Sequence, residues 1–431
     1  MKEKGITLLA LVITIIILLI LAGITITSLT QTGLFEKAQE AKRKTEEKKE
    51  EENITLNEYE QWISKYESNK SGGQFIKVDT KKTNPEGAMP SEKTIVVESD
   101  AKKGIIIKDK NENEWVWIEV PKTDVFSGLT INTDETLTEQ DYTAIKNKLK
   151  EYTKDYQEGS AGQGRYWEDE WYNECGIEAA NGKTGTEIYK EMYNKMLKSV
   201  YTYGGFWISR YEIGDETATN NDYEVRTENS GTTGKAVSKA NQVPYNYVKP
   251  IDAQSLASKM TPDSSKTSSL LFGIQWDLVC KFLETKGKLN IAEIKSGDGI
   301  GSTNWGNYSN KKLTLNRGRY NIKPDDSSVK WIPYTTDTEN YVKSQQTSEN
   351  ENYYQLLTTG ASEETKKMNI YDLAGNLFER TLAHATSDSH YECACMGGAF
   401  YGNGKDSPAA FRDYDGPEHR GYNIGFRTTL Y

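Results

Sequence analysis

Asn369-Ile370-Tyr371-Asp372-Leu373-Ala374-Gly375-Asn376-Leu377-Phe378-Glu379, then Gly397-Gly398-Ala399-Phe400 and finally Gly425-Phe426-Arg427, is the part of this 431-residue sequence whose reading decides the fold. The same texture of short apolar runs broken by Gly and Asn recurs upstream. It is found at Gly204-Gly205-Phe206-Trp207-Ile208-Ser209-Arg210-Tyr211-Glu212, at Leu271-Phe272-Gly273-Ile274-Gln275-Trp276-Asp277 and at Asn304-Trp305-Gly306-Asn307. Gly104 to Asp109 and Glu114 to Val120 flank the turn Lys110-Asn111-Glu112-Asn113 and predict a hairpin. One helix is expected over Glu187 to Val200, with Ile188, Met192, Met196 and Val200 on one stripe. Short strands, few helices and many Gly, Asn and Tyr turns imply an α+β domain dominated by loops. Loops held on a rigid scaffold are where binding chemistry usually sits.

These landmarks, in this order, resemble the formylglycine-generating enzyme (sulfatase-modifying factor) family, whose fold is an elaborated C-type lectin fold. The match runs from about Trp115 to the C-terminus, roughly 300 residues, the size of one large domain. The resemblance implies an oxidation in which two cysteines shortly after the glycine doublet bind copper. In this chain the stretch from Gly397 to Pro408 contains no cysteine, and Cys393 and Cys395 stand before the doublet. Neither a catalytic pair nor copper is carried over. Relatives that use non-haem iron need clustered histidines with a carboxylate, and His384, His390 and His419 do not supply that spacing. The family also implies a structural calcium at Gly-Asn-x-x-Glu. Here Asn376, the neighbouring carbonyl of Leu377 and Glu379 are the candidate oxygen donors, and oxygen is the ligand type calcium needs. The alternative is that Asn376 and Glu379 satisfy buried backbone groups.

The last forty residues read as a recognition surface. The candidate ligand-binding set is Tyr401, Asn403, Asp406, Asp413, Tyr414, Asp415, His419, Arg420, Tyr422 and Asn423. Tyr with Asn, Asp and Gly is the chemistry of adaptable paratopes: flat amphipathic rings for contact and short polar groups for hydrogen bonds. The arrangement resembles the variable proteins of diversity-generating retroelements, in which a C-type lectin domain ends in Gly-Phe-Arg with hypervariable positions just upstream. The competing reading makes these the last loops of the fold, with Arg412 and Arg427 as internal braces.

Ahead of this domain the sequence changes character. From Gly5 to Thr30 there is no charged residue, and a helix of about 20 apolar residues spans a bilayer. Lys2 and Lys4 precede it, so the N-terminus is expected in the cytoplasm and the remainder outside: a single-pass cell-membrane protein with an extracellular C-terminal domain. Met1-Lys2-Glu3-Lys4-Gly5 followed by Ile6-Thr7-Leu8 resembles the type IV prepilin leader, which implies cleavage between Gly5 and Ile6 by a prepilin peptidase. The family's usual glutamate at the fifth mature position is Ala10 here. Between Glu36 and Glu52, thirteen of seventeen residues are charged with the signs interleaved, the pattern of a solvated helical stalk. Residues 1–33 are thus read as leader and transmembrane helix, 34–73 as stalk and linker, and 74–431 as the lectin-type domain, with a polar insertion at about 121–182.

The net charge of -10 is spread along the chain without a basic stripe, which argues against nucleic acid as a partner. Four cysteines, Cys175, Cys280, Cys393 and Cys395, are too few for a disulfide framework in a chain this size. The expectation is a membrane-anchored, non-catalytic binding protein with an unknown protein or glycan ligand. Its competitors are a formylglycine-generating-type oxidase and a minor subunit of a type IV pilus-like machinery.

Overall fold

The computed structural model describes residues 76–91, 93–157, 177–295, 299–335, 354–384 and 393–431. The expected cleavage site at Gly5 and Ile6, the apolar helix, the stalk, Cys175 and His390 lie outside the described residues. Among the described residues no helix is long and apolar enough to cross a membrane.

The expected hairpin forms and begins the main sheet. Strand β1 (Ile95–Glu98) pairs with β2 (Ile106–Lys108), which pairs with β3 (Glu114–Glu119) in the register Ile107 opposite Trp115. The Asp109 carboxylate builds the connecting turn, accepting from the backbone N–H of Asn111 and Asn113 and from the Trp115 indole at 2.9 Å. Such Asx chemistry is why Asp and Asn cluster at this point. Three further strands, β4 (Gly205–Ser209), β5 (Ser268–Leu270) and the C-terminal β10 (Thr428–Leu430), complete a six-stranded sheet in the order β1-β2-β3-β4-β10-β5. Trp117 and Trp207 meet across it with ring centroids 4.9 Å apart, both essentially shut off from water.

Helices cover this sheet. α1 (Glu139–Tyr152) starts at a Thr138–Asp141 capping box and buries Ile145 and Leu149, so part of the region read as a polar insertion contributes to the core. α2 (Gly185–Tyr203) starts at a second capping box, Thr184–Glu187, and stops at Gly204 in the left-handed conformation. The helix is longer than the sequence predicts, and its buried stripe is turned: Tyr189, Tyr193, Met196 and Val200 are inside, while Ile188 and Met192 are only partly buried. Tyr189 and Tyr193 pack edge-on against Phe272, and that aromatic contact sets the rotation. α3 (Pro250–Ser258) packs beside β5, and α4 (Gly273–Thr285) is buried along most of its length.

A second, four-stranded sheet carries the stretch quoted first. It runs β8-β7-β6-β9, from β6 (Phe378–His384), β7 (Cys393–Met396), β8 (Arg412–Asp415) and β9 (Ile424–Phe426). β6 pairs antiparallel with β7 and parallel with β9. Just before β6 the chain turns so tightly at Gly375 that a Cβ there would lie 2.1 Å from the Asn307 carbonyl oxygen. Its φ of +73° adds a second reason for glycine at this position.

Candidate functional site

Side chains alternate across the four-stranded sheet and so divide the terminal residues into two populations. On the side facing α4, Met396 and Ala394 join the main core, with Tyr414 packed against it. Arg412 is buried there in an ion pair with Asp277 of α4. Glu379 belongs to the same side. Both of its oxygens receive the Arg427 guanidinium, at 2.8 to 3.2 Å, and Arg427 also donates to the carbonyls of Ser209 and Tyr371. Two further buried carboxylates lie close by. Glu212 accepts from Asn376 Nδ2 and from the Leu377 N–H, and Asp372 accepts from Thr365 Oγ1 and the Gly360 N–H. Burial pushes the Glu212 carboxyl well above the ordinary range, with Asp372 and Glu379 adding to the effect. Burial raises Asp372 and Glu379 as well, and Arg427 opposes the rise in both.

The other side of the sheet is built on a small apolar cluster of Phe378, Cys395, Ala399, Phe411 and Ile424. Tyr401 stands over it, 38% exposed, with its ring against Phe378 and Phe400. Asn423 Nδ2 donates to its phenol oxygen at 3.1 Å, and burial of most of the ring edge pushes that phenol up to about 12, so it stays a neutral donor. Asp413 sits opposite Cys395, and Asp415 opposite Cys393, in the β7–β8 register. Asp413 and Asp415, two apart on β8, therefore share this face. Asp415 is joined to His419 Nδ1, and its other oxygen accepts from the Gly416 N–H.

Tyr401, Asp413, Asp415, His419 and Asn423 are thus brought together on one face. Tyr414 is not, because its parity on β8 turns it toward the main core. Asn403 shapes the preceding turn, accepting from Asn310 Nδ2 and the Lys405 N–H, and Asp406 is exposed beside it. Tyr422 packs against Phe400 at the rim, and Arg420 approaches Glu228 at 3.8 Å. Sequence reasoning missed Arg380, which follows Glu379 on β6 and faces Cys395. Simple alternation from Glu379 would have placed it on the outer face.

No family model matches this chain. No curated protein matches it either. Among solved structures, the crystal structure of CarF shares 11% identity over 52% of this chain and 85% of its own, with a TM-score of 0.31. Treponema denticola variable protein 1 shares 12% identity over 79% of this chain and 99% of its own, with a TM-score of 0.21. At these TM-scores neither likeness bears on fold or function.

The geometry itself limits the chemistry. Cys280 and Cys395 are free thiols, both buried, and burial pushes both upward, keeping them protonated and poor as nucleophiles or metal ligands. Cys393 is in a disulfide. The residues expected at a calcium site do not fit an ion as they are held. Asn376 Oδ1 accepts from both Asn307 Nδ2 and the Leu357 N–H at 2.9 Å, and Glu379 is committed to Arg427. Among the described residues no group of three or more His, Cys, Asp or Glu is arranged to hold a metal.

Proposed function

We propose that this chain is a membrane-anchored surface binding protein whose lectin-type head recognises its ligand with the outer face of the four-stranded sheet. One observation carries the reading. Five polar or aromatic side chains that are scattered in sequence between 401 and 423 converge on one side of the sheet, supported from below by an apolar cluster, with Tyr401 and His419 exposed and the other three partly so. That is the composition of an adaptable binding surface: a rigid ring for contact area and short groups for hydrogen bonds. The buried, protonated thiols support a role in binding over one in cysteine oxidation. The Cys393 disulfide supports display in an oxidising compartment, as the prepilin-like leader and apolar segment imply.

In this reading the face is a diversified one, of the kind borne by the variable proteins of diversity-generating retroelements. It is tested by sequencing the last forty codons across sibling isolates. Substitutions gathered at Tyr401, Asp413, Asp415, His419 and Asn423 support it, and an invariant C-terminus removes it. Membrane attachment is tested apart from this by fractionation: the intact chain partitions with membranes, and a chain lacking residues 1–33 does not. Recovery of the chain in sheared surface filaments would favour the pilus-subunit reading instead.

A further inference from the structure

Arg380 lies at the floor of this outer face with its side chain fully removed from water. Nη2 donates to the His419 carbonyl oxygen at 2.8 Å. Nε and Nη1 have no hydrogen-bond partner among the described residues. Asp415 pairs with Nη2 at 3.7 Å, an ion pair too long for a hydrogen bond, and it leaves Nε and Nη1 without an acceptor. Cys395, directly across the strand pair, is a neutral thiol. A buried guanidinium with two idle donors is a strongly unfavourable arrangement unless something completes it. Planar guanidinium donors match a carboxylate better than any other common protein or sugar group.

We infer that the ligand of the outer face carries a carboxylate and that Arg380 receives it, displacing the His419 carbonyl that now holds Nη2. The inference rests on the reading of this face as the binding surface and names the chemistry of what binds there. His419 marks the way in: its carbonyl holds Nη2 and its ring is about half exposed. Asp415 is the internal competitor for the same guanidinium.

The test is a titration of the full-length chain with sodium acetate, against sodium chloride at equal ionic strength, followed by the Nε–H resonance of Arg380. Arg380→Met identifies that resonance by its loss. A saturable shift with acetate and none with chloride is expected, and Asp415→Asn should lower the half-saturating acetate concentration several-fold. An unmoved resonance, an equal shift with chloride, or a midpoint indifferent to Asp415→Asn overturns the proposal. N-acetylglutamate and glucuronate, titrated in the same way, distinguish a peptide from a sugar source by which saturates at lower concentration. Melting gives an independent check. Arg380→Met removes a buried charge that has only a long ion pair to Asp415 and two idle donors, and should leave the midpoint within about 2 °C of the parent or raise it. A drop of more than about 5 °C would make Arg380 an internal brace and end the proposal. Failure of acetate to bind leaves the binding-face reading intact, because codon diversity at Tyr401 and Asp413 judges that separately.

Discussion

Glu379 and Arg380 are consecutive charged residues on one strand, both shut off from water, yet the two faces of the sheet treat them in opposite ways. Glu379 points toward α4 into a set of groups in which each donor meets an acceptor: Arg427, Asn376, Glu212 and Asp372 with their backbone partners. Arg380 points the other way and keeps two donors idle beside solvent-facing tyrosine, aspartate and histidine. A satisfied buried network fixes one structure, whereas an unsatisfied buried group is where function is to be sought. The difference between these two neighbours separates a group that braces the fold from one that is left for a partner.

The largest effect should come from breaking the satisfied network around Glu379. Arg427→Met strands the Glu379 carboxylate and two carbonyls, and is expected to cost about 3–5 kcal/mol in denaturant unfolding, enough to prevent folding in a marginal domain. A loss below about 1 kcal/mol would mean the network is not the brace described.

A smaller, pH-dependent effect is expected at Glu212. Its folded pKa is raised above the unfolded value by burial and by Asp372 and Glu379. The stability this contributes is complete below the unfolded pKa of about 4.3 and is lost as pH rises through the higher folded value. Glu212→Gln should therefore lose less stability than the parent between pH 4 and pH 8. A difference that is the same at both values would show that folding does not shift the Glu212 carboxyl.

On the outer face the expected changes in stability shrink. Tyr401→Ala removes ring contacts with Phe378 and Phe400 at a partly exposed site, and should cost no more than about 1 kcal/mol. His419→Ala, at an exposed position, should stay within about 0.5 kcal/mol. If either destabilised the head as strongly as Arg427→Met, the contrast between the faces would disappear.

Much of this was legible in the sequence where local chemistry is strong. The β2–β3 hairpin follows from Asp109 and Asn113 at a turn between alternating apolar runs, and the α+β class from short runs set among Gly and Asn. The site was legible as a list and not as a surface. Tyr414 has the same composition signal as Tyr401, but only its strand parity shows that it faces the core. Arg380 carries no motif of its own, and its idle donors emerge only when its neighbours across β7 and in the 416–421 loop are in place. Asn376 and Glu379 read equally as metal donors or as braces, since the choice depends on Arg427 and Asn307, which are distant in sequence.

The alternation along β8 offers the most direct test. Arg412 and Tyr414 face the core, while Asp413 and Asp415 face outward, all within four consecutive codons. Deep sequencing of that segment across a population of siblings should find substitutions at 413 and 415, with 412 and 414 held constant. Equal variation at all four positions, or variation concentrated at 412 and 414, would contradict the assignment of the outer face as the surface that binds.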